Sequence, residues 1–494
     1  METLFFCFFS FFWFYGNLLL LSFFQVNLGG GINMVSTDQV PVKVGDEITV
    51  DINGYATQGE GVGRHEGFTI FVPDCLDGEK VLTRIELVKK NYARGKLLRV
   101  LEKSPQRIAP GCGIYGQCGG CQLLHMKYSG QLEFKRRRVI EVMERLGGFK
   151  DVTVHPVIGM DSPWEYRNKV QYPFAVNEQG KVVIGCYQKG THNVVDTREC
   201  LIQHELNSRI MNRVRELVQG MGISIYNEKT GQGLLRYVLV KNGFGSGEAM
   251  VVLVTNGPEF PEGKELAKLL AADFPALKSV VQNINTSSGN VVLGEKNKVL
   301  YGADGIIDRL GELEFKISAT SFFQVNPAQT EILYAKALEY ANLTGSERVL
   351  DAYCGVGTLT LFMASKAKEV YGIEVIPEAI EDAKENAIRN NADNVVFVMG
   401  ATEDVLPKLV SIGIDFDVAV VDPPRSGCEE RVLQTFAKLE VPRIVYVSCN
   451  PSTLARDLKF LANRGYEVKE IQPVDMFPHT YHVECVALMS RVEK

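Results

Sequence analysis

Apolar and polar residues alternate in EITVDI, FTIFV, KVLTRIEL and GKLLRVL, all between residues 47 and 101. A period of two marks strands with one buried face. Glycines separate the runs, so residues 34–102 are predicted to form a small antiparallel β-barrel. Residues 103–300 mix strand-like and helical stretches irregularly and read as a central α+β domain. From residue 301 onward the pattern becomes regular. Apolar runs RVLDAY, EVYGIEV, NVVFVMG, FDVAVVDPP and RIVYVSC alternate with helical stretches such as IPEAIEDAKENAIRN and STLARDLKFLANR. That order predicts an α/β domain over residues 301–494, with a Rossmann-like parallel sheet between helices. YEVKEIQPVDMFPHTYHVECVALMSRV then predicts a closing antiparallel hairpin.

The first residues stand apart. After Glu2 there is no charge until Asp38, and the Phe/Leu-rich run is long enough to cross a bilayer. It lacks the basic start of a secretory signal and has no flanking Lys or Arg to set an orientation. Residues 1–33 are therefore read as a leader upstream of a start at Met34, and no membrane association is expected. The hexapeptide SFFQVN occurs in this stretch at Ser22–Asn27 and again at Ser321–Asn326, with unrelated flanks.

Composition adds limits. Across 494 residues the apolar share is 46% and the charged share 23%, ordinary for a globular chain of several domains. A net charge of -6 argues against a generally basic nucleic-acid binder but leaves room for local patches. KKNYARGK (Lys89–Lys96) and FKRRRV (Phe134–Val139) are two candidates, the first with Tyr92 and Arg94 at the end of the predicted barrel. Eleven cysteines, odd in number and unevenly spread, fit a reducing, cytoplasmic setting with metal-binding or catalytic thiols. Cys112, Cys118 and Cys121 are spaced C-x5-C-x2-C, and Cys200 is a candidate fourth ligand. Spacing alone allows zinc or an iron–sulfur cluster.

The candidate chemistry gathers in the last domain. DAYCGVGTLTL (Asp351–Leu361) joins a strand to a helix through glycines that let a ligand approach the backbone. Glu374 ends the next strand, where an acidic residue can accept ribose hydroxyls. Val420–Gly427, VVDPPRSG, ends the fourth strand of the sheet, and Asp-Pro-Pro there resembles enzymes that transfer methyl groups to bases or amides. Cys449 ends the fifth strand, just before Asn450 and Pro451. A helix starting there would lower its pKa. A thiolate so placed could add to C6 of uracil and make C5 nucleophilic. The C5 proton must then leave, and Glu484 on the closing hairpin is the candidate base.

SFFQVNPAQ, DAYCGVGTLTL, YGIEV, DPPRSG, YVSCNP and MFPHTYHVE stand in an order and spacing that resemble the RNA uracil-5-methyltransferase family over residues 34–494. The resemblance implies a class I methyltransferase fold and S-adenosylmethionine held by Gln324, Tyr353, Glu374 and Asp422. It implies Cys449 as nucleophile and Glu484 as base, and it makes the second SFFQVN the functional copy. The barrel resembles a TRAM domain, an RNA-binding module. The cysteine pattern resembles that of family members acting on 23S rRNA, which implies a [4Fe–4S] cluster on Cys112, Cys118, Cys121 and Cys200. RNA is the implied partner, 23S rRNA before tRNA, and a monomer is the default.

Rival activities make different demands. Cytosine-C5 methyltransferases typically carry a cysteine in the Asp-Pro-Pro region, where this chain has Arg425 and Ser426, with Cys428 two residues on. An N-methyltransferase would need no nucleophilic cysteine. A non-catalytic RNA-binding iron–sulfur protein would need neither the cofactor motifs nor Cys449.

Overall fold

The computed structural model describes residues 40–492. The leader and the first SFFQVN lie outside the described residues. The chain divides into two compact units, one running to Lys127 and including Lys189–Thr191, the other formed by Tyr128–Gln188 and the chain from His192 onward.

In the first unit, Glu47–Tyr55, Gly61–His65, Phe68–Val72, Tyr92–Glu102 and Lys80–Val88 follow one another around a closed five-stranded barrel. Val50, Ile52, Ile70, Val72, Val81, Ile85 and Ala93 fill its interior, the inward set of the period-two pattern. Closure differs from an all-antiparallel expectation: Phe68–Val72 pairs in parallel with Tyr92–Glu102. At Gly63 a Cβ would come within 2.4 Å of the Asp51 carbonyl, so glycine permits the close approach of the first two strands.

The second unit holds two large sheets. The six-stranded one runs Lys296–Gly302, Leu277–Ile284, Ala249–Thr255, Leu235–Asn242, Lys169–Val176, Val182–Ile184. Helices Glu205–Gly220 and Gly263–Asp273 cover it through Ile210, Val214, Leu217, Leu266 and Leu270. The eight-stranded sheet runs Val395–Met399, Glu369–Glu374, Arg348–Ala352, Val418–Val421, Arg443–Ser448, Glu484–Arg491, Tyr466–Val474, Thr153–Val154. The first five strands are parallel, and Glu484–Arg491 is antiparallel to both of its neighbours. The expected parallel sheet and closing hairpin are both present. Val418–Val421 and Ile444–Ser448 are buried throughout, as strands covered on both faces require.

A helix from the middle of the chain joins this second sheet. Tyr128–Val142 packs on it, with Val139, Met143 and Val154 inside its core, and Thr153–Val154 adds an edge strand beside Glu470 and Ile471. This overturns the reading of FKRRRV as a surface patch. Phe134 and Lys135 are buried, Arg136 donates to the Val154 carbonyl, and Arg138 donates to the Tyr481 carbonyl at 2.6 Å. Only Arg137 of the run is exposed, paired with Glu141 one turn on.

Candidate active site

The parallel strands all end on one side of the sheet, and the predicted site residues follow those ends. Ser448 is paired with Cys485 across antiparallel strands. Continuing that register by one residue sets Cys449 opposite Glu484. Opposed residues share a face of the sheet, with Cβ atoms about 4.5–5.5 Å apart. Val421 is paired with Tyr446 on the neighbouring strand, and Asp422 comes next. Three residues that are far apart in sequence are therefore brought together by β-sheet register.

Their charges interact. Glu484 is buried, and that burial pushes its pKa up to about 8, with Asp422 adding and Arg425 opposing. Burial pushes Asp422 up to about 6. The Cys449 thiol is pushed up as well, first by burial, then by Glu484 and Asp422, with Arg425 acting against them. The expected lowering at a helix start is therefore not found. The helix does begin at Pro451, but its capping residue Asn450 takes the Ser452 N–H at 3.1 Å. Burial and two carboxyls outweigh the dipole that remains.

The helix Pro451–Ala462 also fixes the Asp-Pro-Pro loop. Asn450 and Thr453 donate to the Arg425 carbonyl at 3.1 and 3.3 Å, and Arg456 donates to the Ser426 carbonyl at 2.9 Å. Buried Asp457 accepts from the Cys428 N–H at 2.9 Å and from Tyr446 at 2.6 Å. Cys428 is buried in this network, with its thiol pushed up to about 12 by burial.

Beside this cluster, the glycine-rich loop bends over the end of Arg348–Ala352. Glu374 accepts the Gly355 N–H at 3.1 Å with one oxygen and the Val375 and Ile376 N–H groups with the other. Tyr353 holds a left-handed backbone (φ 72°), packs against the core of the sheet and interacts through its phenol with Cys428 and the Glu429 backbone. Gly355 also has positive φ, and a Cβ built there meets no atom within 4 Å. The loop thus borders open space. Asp351 is buried with one oxygen bonded to Thr360 and the other without a partner, and burial, Asp422 and Glu374 raise its pKa to about 7. Carboxyls Glu374, Asp351, Asp422 and Glu484 thus form an electrostatically linked series. An acidic border around an open backbone cradle suits a positively charged nucleoside cofactor.

The second SFFQVN sits at the start of helix Pro327–Ala341, where Asn326 caps the Gln329 N–H and Pro327 takes the first turn. Asn326 also donates to the Met476 carbonyl at 3.1 Å, and Asn168 donates to the Gln324 carbonyl at 2.9 Å. The backbone of Gln324 is thus tied to Asn168, just before Lys169–Val176, and Asn326 two residues on is tied to the loop leading to Glu484.

Comparison with known proteins identifies the family. Residues 262–492 match the model of the tRNA (Uracil-5-)-methyltransferase family, and residues 41–98 match the TRAM domain. A Bacillus cereus protein described as an uncharacterized RNA methyltransferase is 50% identical over 454 residues, covering 92% of this chain and 98% of its own. A Clostridium tetani protein with the same description is 50% identical over 451 residues, 91% of this chain and 98% of its own. The crystal structure of the tRNA (uracil-54, C5)-methyltransferase of Pyrococcus abyssi, in complex with S-adenosyl-L-homocysteine, superimposes with a TM-score of 0.71. It shares 31% identity, over 89% of this chain and 99% of that one. The chain belongs to the RNA uracil-5-methyltransferase family.

As an RNA methyltransferase with a TRAM barrel, it presents Lys89, Lys90 and Tyr92 on the barrel surface, Tyr92 edge-on to Phe71 at 5.4 Å, while Arg94 pairs with Glu60. Cys112, Cys118 and Cys121 lie half-buried on one loop, where Gly120 N–H donates to the Cys118 sulfur at 3.3 Å. Cys200 belongs to the other unit. Among the described residues no three Cys, His, Asp or Glu side chains converge to hold a metal. Sequence reading missed Asp351, although an acidic residue closing the strand before a glycine loop was a readable signal. It also missed the helix Tyr128–Val142 beneath the loop 475–483, for which local sequence carried no signal.

Proposed function

We propose that this methyltransferase modifies C5 of uridine in 23S rRNA, with Cys449 as nucleophile and Glu484 as the base that removes the C5 proton. The closeness of Cys449 to buried Glu484, one residue beyond the Ser448–Cys485 pair and felt as a charge interaction between them, carries the reading. Cys449 releases its thiol proton to water, its sulfur forms a bond to C6, the ring electrons move to C5, and C5 takes up the methyl group. Glu484 then takes the C5 proton, the C6–S bond breaks, and the thiolate leaves with its electrons. An N-methyl transfer would make no use of this pair.

S-adenosylmethionine supplies the methyl group as a sulfonium, and the acidic border of the cleft matches its charge. Glu374, Asp422 and Gln324 are its polar ligands in this reading, the backbone of Gln324 being tied to Asn168, and Tyr353 packs beside it. The complex of the Pyrococcus abyssi enzyme with S-adenosyl-L-homocysteine supports the choice of cofactor.

The TRAM barrel and the cysteine pattern favour 23S rRNA, a cytoplasmic substrate, and a role in rRNA processing, with a monomer as the default. The similarity to a tRNA (uracil-54, C5)-methyltransferase favours tRNA as the second reading. A [4Fe–4S] cluster on Cys112, Cys118, Cys121 and Cys200 rests on spacing and resemblance, and no step of the reaction passes through it. Iron and sulfide analysis of anaerobically purified protein, beside Cys→Ser variants at the four positions, tests it. Absence of iron from the parent protein would refute it.

Tritium release from [5-³H]uridine in unmodified 23S rRNA, compared with tRNA, tests the substrate. Release from 23S rRNA is expected; release from tRNA alone would move the enzyme to the second reading.

A further inference from the structure

We propose that Trp164 is a pre-built stacking platform for an unpaired base of the RNA substrate, next to the uridine that enters the cleft. The proposal rests on the RNA-methyltransferase reading and adds a substrate contact to it.

Trp164 leaves 40% of its surface exposed while its ring stacks on His479, centroids 4.1 Å apart and planes 23° apart. The histidine is fixed on every side. Its backbone N–H donates to Gln131 Oε1 at 2.9 Å, which orients the amide so that Gln131 Nε2 donates to Nδ1 at 3.2 Å. Nε2–H is then left to donate to the Pro163 carbonyl at 3.0 Å, tying the ring to the residue before Trp164. These partners select one neutral tautomer, and burial keeps it neutral by pushing the pKa down to about 4. Tyr128 flanks the imidazole at 6.1 Å, its hydroxyl bonded to Asp475 and to the Met160 N–H, each at 2.9 Å. Glu165 and His479 both hold left-handed backbone (φ 53° and 68°), a conformation that persists only where surroundings enforce it.

An indole immobilised in this way loses little further freedom when a base lands on its open side. Unpaired RNA bases are bound by stacking on such rings. The location favours the substrate strand over any other partner. Five residues after His479 the chain reaches Glu484, and His482 between them contacts Arg425 of the Asp-Pro-Pro loop at 3.4 Å. Arg167, three residues after Trp164, acts on the same His482 and supplies positive charge for the backbone of a stacked nucleotide.

The sequence has two tryptophans, so Trp13→Phe leaves Trp164 as the sole indole fluorophore. Titrating the Trp13→Phe, Cys449→Ala protein with unmodified 23S rRNA or tRNA should quench that fluorescence saturably. In otherwise active protein, Trp164→Ala should raise KM for RNA about five- to hundredfold with kcat within about twofold, and Trp164→Phe should restore most of the loss. RNA binding without quenching, or an unchanged KM in Trp164→Ala, overturns the platform and leaves the enzyme reading intact. Failure to bind either RNA overturns both.

Discussion

Lys135 and Asp475 form an ion pair in which neither side chain has any exposed surface. Lys135 also donates to the Phe477 carbonyl at 3.0 Å, and Tyr128 supplies a second hydrogen bond to Asp475. With Gln131 and Arg138, these residues follow one another at three- and four-residue steps along a single helix face. That face holds the loop 475–483, which delivers Glu484 to the cleft.

Removing one member of this pair should cost far more than a surface charge. Lys135→Met leaves a buried carboxylate without its cation, and a loss of about 3–5 kcal/mol is expected. Lys135→Met combined with Asp475→Asn should recover much of it. Chemical denaturation of the variants checks both; a loss below about 1 kcal/mol for the single variant would mean the pair is solvated.

The reaction should depend on pH through Glu484. A base must be ionised, and burial and Asp422 place its pKa at about 8. Release of the C5 proton from the methylated Cys449 adduct, the step after thiolate addition, should therefore rise with pH to about 8 and level off above it. Arg425→Ala removes the charge that favours the ionised form and should move the limb to higher pH. The stability effect runs the other way. Between about 4.3, the carboxyl's unfolded pKa, and the folded pKa near 8, the folded state binds more protons, so Glu484 makes stability fall as pH rises. Glu484→Gln should remove that slope in denaturation measured across pH.

Two glycines of one loop should separate binding from folding. At Gly357 (φ 80°) a Cβ would press within 3.0 Å of the Phe397 ring, whereas at Gly355 (φ 55°) it meets only open space. Both substitutions carry about 1–2 kcal/mol of backbone strain. Gly357→Ala should lower Tm further than Gly355→Ala does. Gly355→Ala should weaken S-adenosylhomocysteine binding at least about tenfold by calorimetry, because its methyl occupies the cradle.

What could be read from sequence followed from local periodicity. The inward residues of the barrel and the apolar runs of the five parallel strands announce themselves within a few positions, and the ends of two of those strands locate Asp422 and Cys449. Lys135 could not be read in this way. Its burial depends on Asp475, which lies 340 positions away and is brought near by the fold alone. The same holds for Thr153–Val154, a two-residue strand specified by the sheet it joins. The ionisation of Cys449 was misjudged because a helix start is visible in Asn450 and Pro451, while the enclosing carboxyls are contributed by other strands.

The most direct test of the central claim is the fate of the C6–sulfur bond when the base is removed. Glu484→Gln protein incubated with S-adenosylmethionine and unmodified RNA should accumulate a denaturation-resistant protein–RNA adduct, mapped by mass spectrometry to Cys449 and carrying the new methyl group. Cys449→Ala should give neither adduct nor methylated RNA. Methylated RNA from Cys449→Ala, or turnover by Glu484→Gln at the parent rate with no adduct, would contradict the account.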